Sequence, residues 1–337
     1  NDTFVGGGGT DTIVLSTGTH ALTNDAKIAT IEKIQTDSSG SVVSLAGQAE
    51  AFTITGGAAT DNITGGSGND IISGEGGADI INGGVGDDNI TGGDGDDTIT
   101  VSAGSDTITD LQTGDDLVVT GGTATANLSS NFVADSDTTN AGNAIINAHS
   151  GGSTITMTNA GSGIFDLRGG ASADIITGGS GNDIIDGKGA DDVLDGGAGD
   201  DIITVSTAGD ANGDTIDGGD GTDTLSLASG SHSFATNANL QGIDSITLAS
   251  SATVVDLTGQ TESLSITGGA GGDTITSGCG DDIINGAGGA DIITGADGKD
   301  TISLGSSDNA SDVIIFSKAS SLTGMDIINQ FNAGATN

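Results

Sequence analysis

The chain has 337 residues and contains no proline, tryptophan or tyrosine. Aromatic residues are 2% of it, all phenylalanine, so a conventional large core cannot form and burial must come from thin stacks of Ile, Val and Leu. Six basic residues face 47 acidic ones, giving a net charge of −41. That balance excludes nucleic acid as a partner, because phosphate binding needs Lys and Arg. No apolar run is long enough to span a membrane. The single cysteine, Cys279, occupies a variable turn position in Ser277-Gly278-Cys279-Gly280 and can form no internal disulfide. His20, His149 and His232 are scattered and lie in no His-Glu-x-x-His zinc signature. Gly65-Gly66-Ser67-Gly68-Asn69 fails the Gly-x-Ser-x-Gly nucleophile elbow at its last position. No catalytic residue and no organic cofactor is nominated, and the expectation is a protein that is not an enzyme.

What the chain does have is glycine, 62 residues of it, set in a fixed period with aspartate. From Gly56 to Thr109 an aspartate stands at the sixth position of every nine-residue block: Asp61, Asp70, Asp79, Asp88, Asp97 and Asp106. Gly65-Gly66-Ser67-Gly68-Asn69-Asp70-Ile71-Ile72-Ser73 is a complete copy. The pattern returns from Gly169 to Ser226 (Asp174, Asp183, Asp192, Asp201, Asp214, Asp223) and from Gly268 to Ser303 (Asp273, Asp282, Asp291, Asp300). Asp11 belongs to an isolated copy. Asp210 opens a four-residue insertion before Asp214; it begins like an EF-hand loop but has neither the sixth-position Gly nor the final Glu. A short fixed period of this kind denotes a repeat architecture.

Each block reads as a turn followed by a short strand. Glycine reaches positive φ without steric cost, and in Asp-x-Ile-x the alternation sends position eight inward and position seven outward. Two blocks then complete a coil of eighteen residues, stacking Asp61, Asp79 and Asp97 on one edge and Asp70, Asp88 and Asp106 on the other. At a coil spacing of about 4.8 Å, two carboxylates repel by about 3 kcal/mol at an effective dielectric near 20. A column of them needs cations, and a hard dication held by carboxylate and carbonyl oxygens fits. Calcium takes six to eight such oxygens flexibly, whereas magnesium demands strict octahedral geometry. The only glutamates are Glu32, Glu50, Glu75 and Glu262, as expected if a tight turn requires the shorter acid. Asp87, Asp96, Asp191, Asp200 and Asp281, at position five, read as solvated outer charges rather than ligands.

A slower repeat lies above the nonapeptide. Shifting the chain by 212 residues, without a gap, sets Asp11 on Asp223, His20 on His232, Ile34 on Ile246 and Glu50 on Glu262. The organisation read from this is the end of an upstream calcium block (1–14), a β-solenoid segment (15–55), a first glycine block (56–110) and a Ser/Thr/Asn-rich β insert (111–168). A second block (169–226), a copy of the solenoid segment (227–267), a third block (268–303) and an irregular closing region (304–337) follow. Within the insert, Asn140–His149 reads as a short helix. Asn1-Asp2-Thr3-Phe4-Val5 matches positions five to nine of a block lacking its glycines, so a fragment or a cleavage product of a longer chain is expected.

The blocks resemble the RTX, or haemolysin-type, calcium-binding repeat. The resemblance implies an all-β fold of calcium-bound parallel β-roll blocks joined by non-glycine β-solenoid segments, with export by type I secretion. It carries ligand roles to the aspartates named above, Asp11 and Asp210 included, and to the turn carbonyls of Gly66, Gly68, Gly84, Gly86, Gly93, Gly95, Gly179, Gly181, Gly197 and Gly199. Pairing turns eighteen residues apart gives about ten calcium ions by that geometry. Bacterial RTX surface-layer proteins are the members the composition resembles most. The expected function is an extracellular, calcium-dependent structural protein that self-assembles at a cell surface, with cell-surface polysaccharide as a second partner class. The alternatives are the stalk of an RTX adhesin, or the C-terminal calcium-binding domain of a secreted RTX enzyme or toxin.

Overall fold

In the computed structural model, residues 3–23, 28–207, 213–234, 236, 238–305, 310–316 and 326–329 are described. Every regular element among them is a β-strand, and every strand pairing in the sheets is parallel. Two compact units divide the chain: residues 1–168 with 179–181, and 169–178 with 182–337. Each is a parallel β-solenoid in which alternate strands along the chain feed different sheets.

In the first unit one sheet runs through Thr12–Leu15, Lys33–Thr36, Thr53–Thr55, Ile71–Gly76, Asn89–Asp94 and Ser105–Leu111. The other runs through Gly18–Ala21, Ser41–Ser44, Asn62–Thr64, Ile80–Asn82, Thr98–Val101 and Asp116–Val119. Register within the glycine block is eighteen residues throughout, as in Ile63, Ile81 and Ile99, because nine residues close each half-coil. Position eight is the core: Ile63, Ile72, Ile81, Ile90, Ile99 and Ile108 are at most 1% exposed. Alternation then leaves position seven outside, where Ile71 is 56% and Ile80 47% exposed.

Strands of the insert set apart by composition continue these sheets. Thr123–Leu128, Asn143–Asn147 and Phe165–Arg168 continue the first sheet. The helix expected over Asn140–His149 is therefore strand: Thr139–Asn140 pairs with Val118 and Val119, and Asn143–Asn147 lies between two neighbours. The reason is a period of two. Ala144 and Ile146 are fully buried while Asn143, Ile145 and Asn147 are not, which a helix cannot reproduce.

The second unit repeats the first in detail. Thr224–Leu227, Gly230–Ser233, Ser245–Leu248, Thr253–Asp256 and Ser265–Thr267 occupy the places of Thr12–Leu15, Gly18–Ala21, Lys33–Thr36, Ser41–Ser44 and Thr53–Thr55. The shared histidine has a structural place in both: Nε2 of His232 meets the Ala228 carbonyl at 2.8 Å, and Nε2 of His20 meets that of Ser16 at 2.6 Å. Gln48 and Gln260, each 1% exposed, turn their amides inward onto the carbonyls of Leu22 and Phe234. They close the wider coils where the glycine turn is absent.

Candidate metal centre

The sixth-position aspartates stack on the turn edges. Every one of them in the three blocks is at most 3% exposed, and Asp11 is half-buried. Each column is threaded by hydrogen bonds of one polarity, the N–H of one aspartate donating to Oδ1 of the aspartate one coil later. Asp61, Asp79 and Asp97 are joined this way at 2.7 and 2.8 Å, and Asp70, Asp88 and Asp106 at 2.8 and 3.0 Å. In the second block Asp174 donates to Asp192 and Asp192 to Asp214, while Asp183 donates to Asp201 and Asp201 to Asp223. In the third, Asp273 donates to Asp291 and Asp282 to Asp300. The step from Asp192 to Asp214 is 22 residues rather than 18, so the column continues past the insertion. Asp210 itself lies outside the described residues.

The columns run further than the period does. Asp97 donates to Asp115, Asp223 to Asp244, Asp291 to Asp312 and Asp300 to Asp326. These four closing acids were not nominated from the sequence. Asp115 keeps the eighteen-residue step, but the others stand 21 or 26 residues on, outside the period. Position five is exposed, as expected, and it also carries hydrogen bonds between coils. Asp87, Asp96, Asp191, Asp200 and Asp281 are exposed, yet Asp87 accepts from Ser105 N–H, Asp200 from Thr222 N–H and Asp281 from Lys299 N–H. These bonds run opposite in polarity to those at position six, so adjacent coils are tied in both directions.

The glycines follow from these carboxylates. A Cβ at the first position of a block would overlap Oδ2 of that block's own aspartate, as at Gly74 with Asp79, Gly83 with Asp88 and Gly92 with Asp97. At positions two and four it would meet a carbonyl of the preceding coil: Gly84 meets Gly66, Gly86 meets Gly68, Gly181 meets Gly163 and Gly221 meets Gly199. The nominated carbonyls are thus stacked against the next turn. Gly66 accepts from Val85 N–H, Gly84 from Ser102 Oγ, Gly93 from Gln112 Nε2 and Gly197 from Asp220 N–H. A carbonyl oxygen has a second lone pair beyond such a bond. Gly95 and Gly199 hold the turn at φ 139° and 125°. Gly179 sits at position two of its own block.

Oδ2 of Asp11, Asp79, Asp88, Asp97, Asp106, Asp201, Asp223 and Asp300 is buried and meets no donor among the described residues. An ionised oxygen left so is costly, and the carboxyls respond. Burial first, then neighbouring carboxylates, raise Asp79 and Asp300 to about 6 and Asp106 and Asp201 to about 7, against opposing backbone hydrogen bonds. The ion pair of Arg168 with Asp166 stands outside the columns. A donor set of carboxylate and carbonyl oxygens with orphaned buried anions fits a hard dication of the calcium type. A separate group, Asp116, Asp135 and Asp137, brings carboxylate oxygens within 4.8 Å of one another outside the glycine blocks. There Asp116 is raised to about 6 by burial and by its hydrogen bond with Asp135.

A family model of the RTX calcium-binding nonapeptide repeat matches residues 1–19, 55–90, 73–108, 168–203, 208–231, 267–302 and 280–309. Together these span more than half of the chain. The chain belongs to the RTX family. The repeats of this family bind calcium, and the matched stretches contain every orphaned Oδ2 named above. No curated protein matches the chain. When bound, calcium would supply the positive charge that the columns lack, and the sixth-position carboxylates and turn carbonyls would hold it.

Proposed function

We propose that this RTX chain is an extracellular structural protein, exported by type I secretion, that folds on meeting calcium outside the cell and self-assembles into a surface layer or matrix. The observation that carries the assembly reading is the exposed row at position seven. Ile184 and Ile202 are directly paired across adjacent strands at 39% and 43% exposure, and Ile175 and Val193 form a second such pair at 48% and 45%. β-branched residues suit strands anyway, but rows of paired, exposed aliphatics also offer a flat apolar surface to a second copy. The recurrence of one stretch at a 212-residue offset, which sets Asp11 on Asp223 and His20 on His232, supports a structural rather than an enzymatic role.

Bound calcium would lower the charge of −41 that keeps copies apart. The test is the double variant Ile184→Asp with Ile202→Asp, viewed by electron microscopy and light scattering in millimolar calcium. Loss of assembly with calcium binding retained is the expected result. Assemblies indistinguishable from wild type would refute the role of this face.

A further inference from the structure

The turns exist in two forms, which differ in the acceptor that the position-two N–H meets. At the first coil of a column the position-two glycine keeps φ out of the left-handed region, as at Gly57, Gly66, Gly170 and Gly269. Its N–H then donates to Oδ2 of Asp61, Asp70, Asp174 and Asp273, at 2.6 to 2.8 Å. For Asp61, Asp70 and Asp273, Oδ1 accepts as well, from Ser41, Phe52 and Thr253 N–H. Both oxygens of these carboxylates are closed by backbone.

Further along a column position two flips to positive φ: 106° at Gly84, 98° at Gly197 and 93° at Gly219. The N–H now donates to a side chain two residues earlier, at block position nine. Gly84 donates to Asn82, Gly197 to Asp195 and Gly219 to Asp217, at 3.0 to 3.2 Å. In these same blocks Oδ2 of Asp88, Asp201 and Asp223 is buried and without a donor. Where the turn is not flipped, position nine is Thr55, Thr64, Arg168 or Thr267. Position two is also flipped at Glu75, Gly93 and Ala296, after Ser73, Thr91 and Thr294, and there the Gly93 N–H goes to Oδ2 of Asp110 instead. Asn and Asp capture an N–H two residues on readily, and hydroxyls do so more weakly.

We propose that Asn82, Asp195 and Asp217 are positioning residues that draw the position-two N–H away and so leave Oδ2 of Asp88, Asp201 and Asp223 free for calcium. An N–H aimed at Oδ2 would set its positive end against the cation. Charge at position nine is not what matters, since Asn82 and Asp195 make the same bond. The inference rests on calcium binding by the columns and goes beyond it, because it assigns a role to a position outside the glycine-aspartate pattern.

The test is calcium titration calorimetry on the full chain carrying Asp195→Ala, Asn82→Ala or Asp195→Asn, with β-content checked by circular dichroism at saturating calcium. Each alanine variant should lose one ion or bind it about tenfold more weakly, the usual scale for a residue that orients a ligand. Asp195→Asn should stay within about twofold of wild type. Alanine variants that bind as wild type would overturn the proposal, as would an Asp195→Asn as weak as Asp195→Ala, which would mean that charge acts directly. If Asp195→Ala does not regain wild-type β-content, Asp195→Asn and Asn82→Ala decide by the same criteria. Failure of the wild type itself to bind calcium would instead refute the reading of the columns.

Discussion

At Gly74 there is no room for a methyl group, because Oδ2 of Asp79 and the Gly92 carbonyl already occupy the place of a Cβ. The same residue type at Gly8 has nothing within 4 Å. Gly74→Ala should therefore raise the calcium concentration needed for folding several-fold, while Gly8→Ala should leave it unchanged; a calcium titration of both variants checks this. Asp88→Ala and Asp11→Ala make a second pair. Asp88 donates to Asp106 and accepts from Asp70 within an unbroken column. Asp11 is half-buried, and its N–H goes to Glu32 rather than to another aspartate. Removal of Asp88 should shift the calcium midpoint more than removal of Asp11.

Among the strands, position eight carries the packing. Ile203 is fully buried and paired with Ile185 and Leu225 in adjacent coils, so Ile203→Ala should cost about 3 kcal/mol in saturating calcium, measured by denaturant unfolding. This layer was legible from the sequence, because a period of nine fixes both the inward residue and its partner eighteen places on. The aspartate columns were legible for the same reason. What escaped was whatever left the period. Asp244, Asp312 and Asp326 continue columns at other spacings, and Asn140–His149 imitates a helix by its small residues although Ala144 and Ile146 alternate as a strand does. The exposure of position five was read correctly, but its hydrogen bonds were not. Those depend on the backbone of the neighbouring coil, which no local pattern displays.

For the whole molecule the decisive quantity is the charge of −41, part of which is carried by the buried aspartate columns. Protons and calcium are alternative ways to neutralise them. The folded carboxyls of Asp79, Asp106, Asp201 and Asp300 titrate at about 6 to 7, against 3.8 for the ordinary group. The folded chain thus binds more protons than the unfolded one. Their contribution is fully favourable below pH about 4 and is lost as pH rises through 6 to 7. In chelator, β-content should be greater at pH 5 than at pH 8, and circular dichroism at the two values would show it. On the proposed reading calcium does this work near pH 7.5, and its binding free energy becomes folding free energy. Glycine's backbone entropy opposes order, and single-residue aliphatic stacks do not overcome both terms. The most direct measurement is a calcium titration at pH 7.5, from excess chelator to 10 mM, followed by circular dichroism. Little β-structure in chelator and a cooperative rise toward the millimolar range are the expected result. Full β-structure in chelator, unchanged by calcium, would contradict calcium-dependent folding.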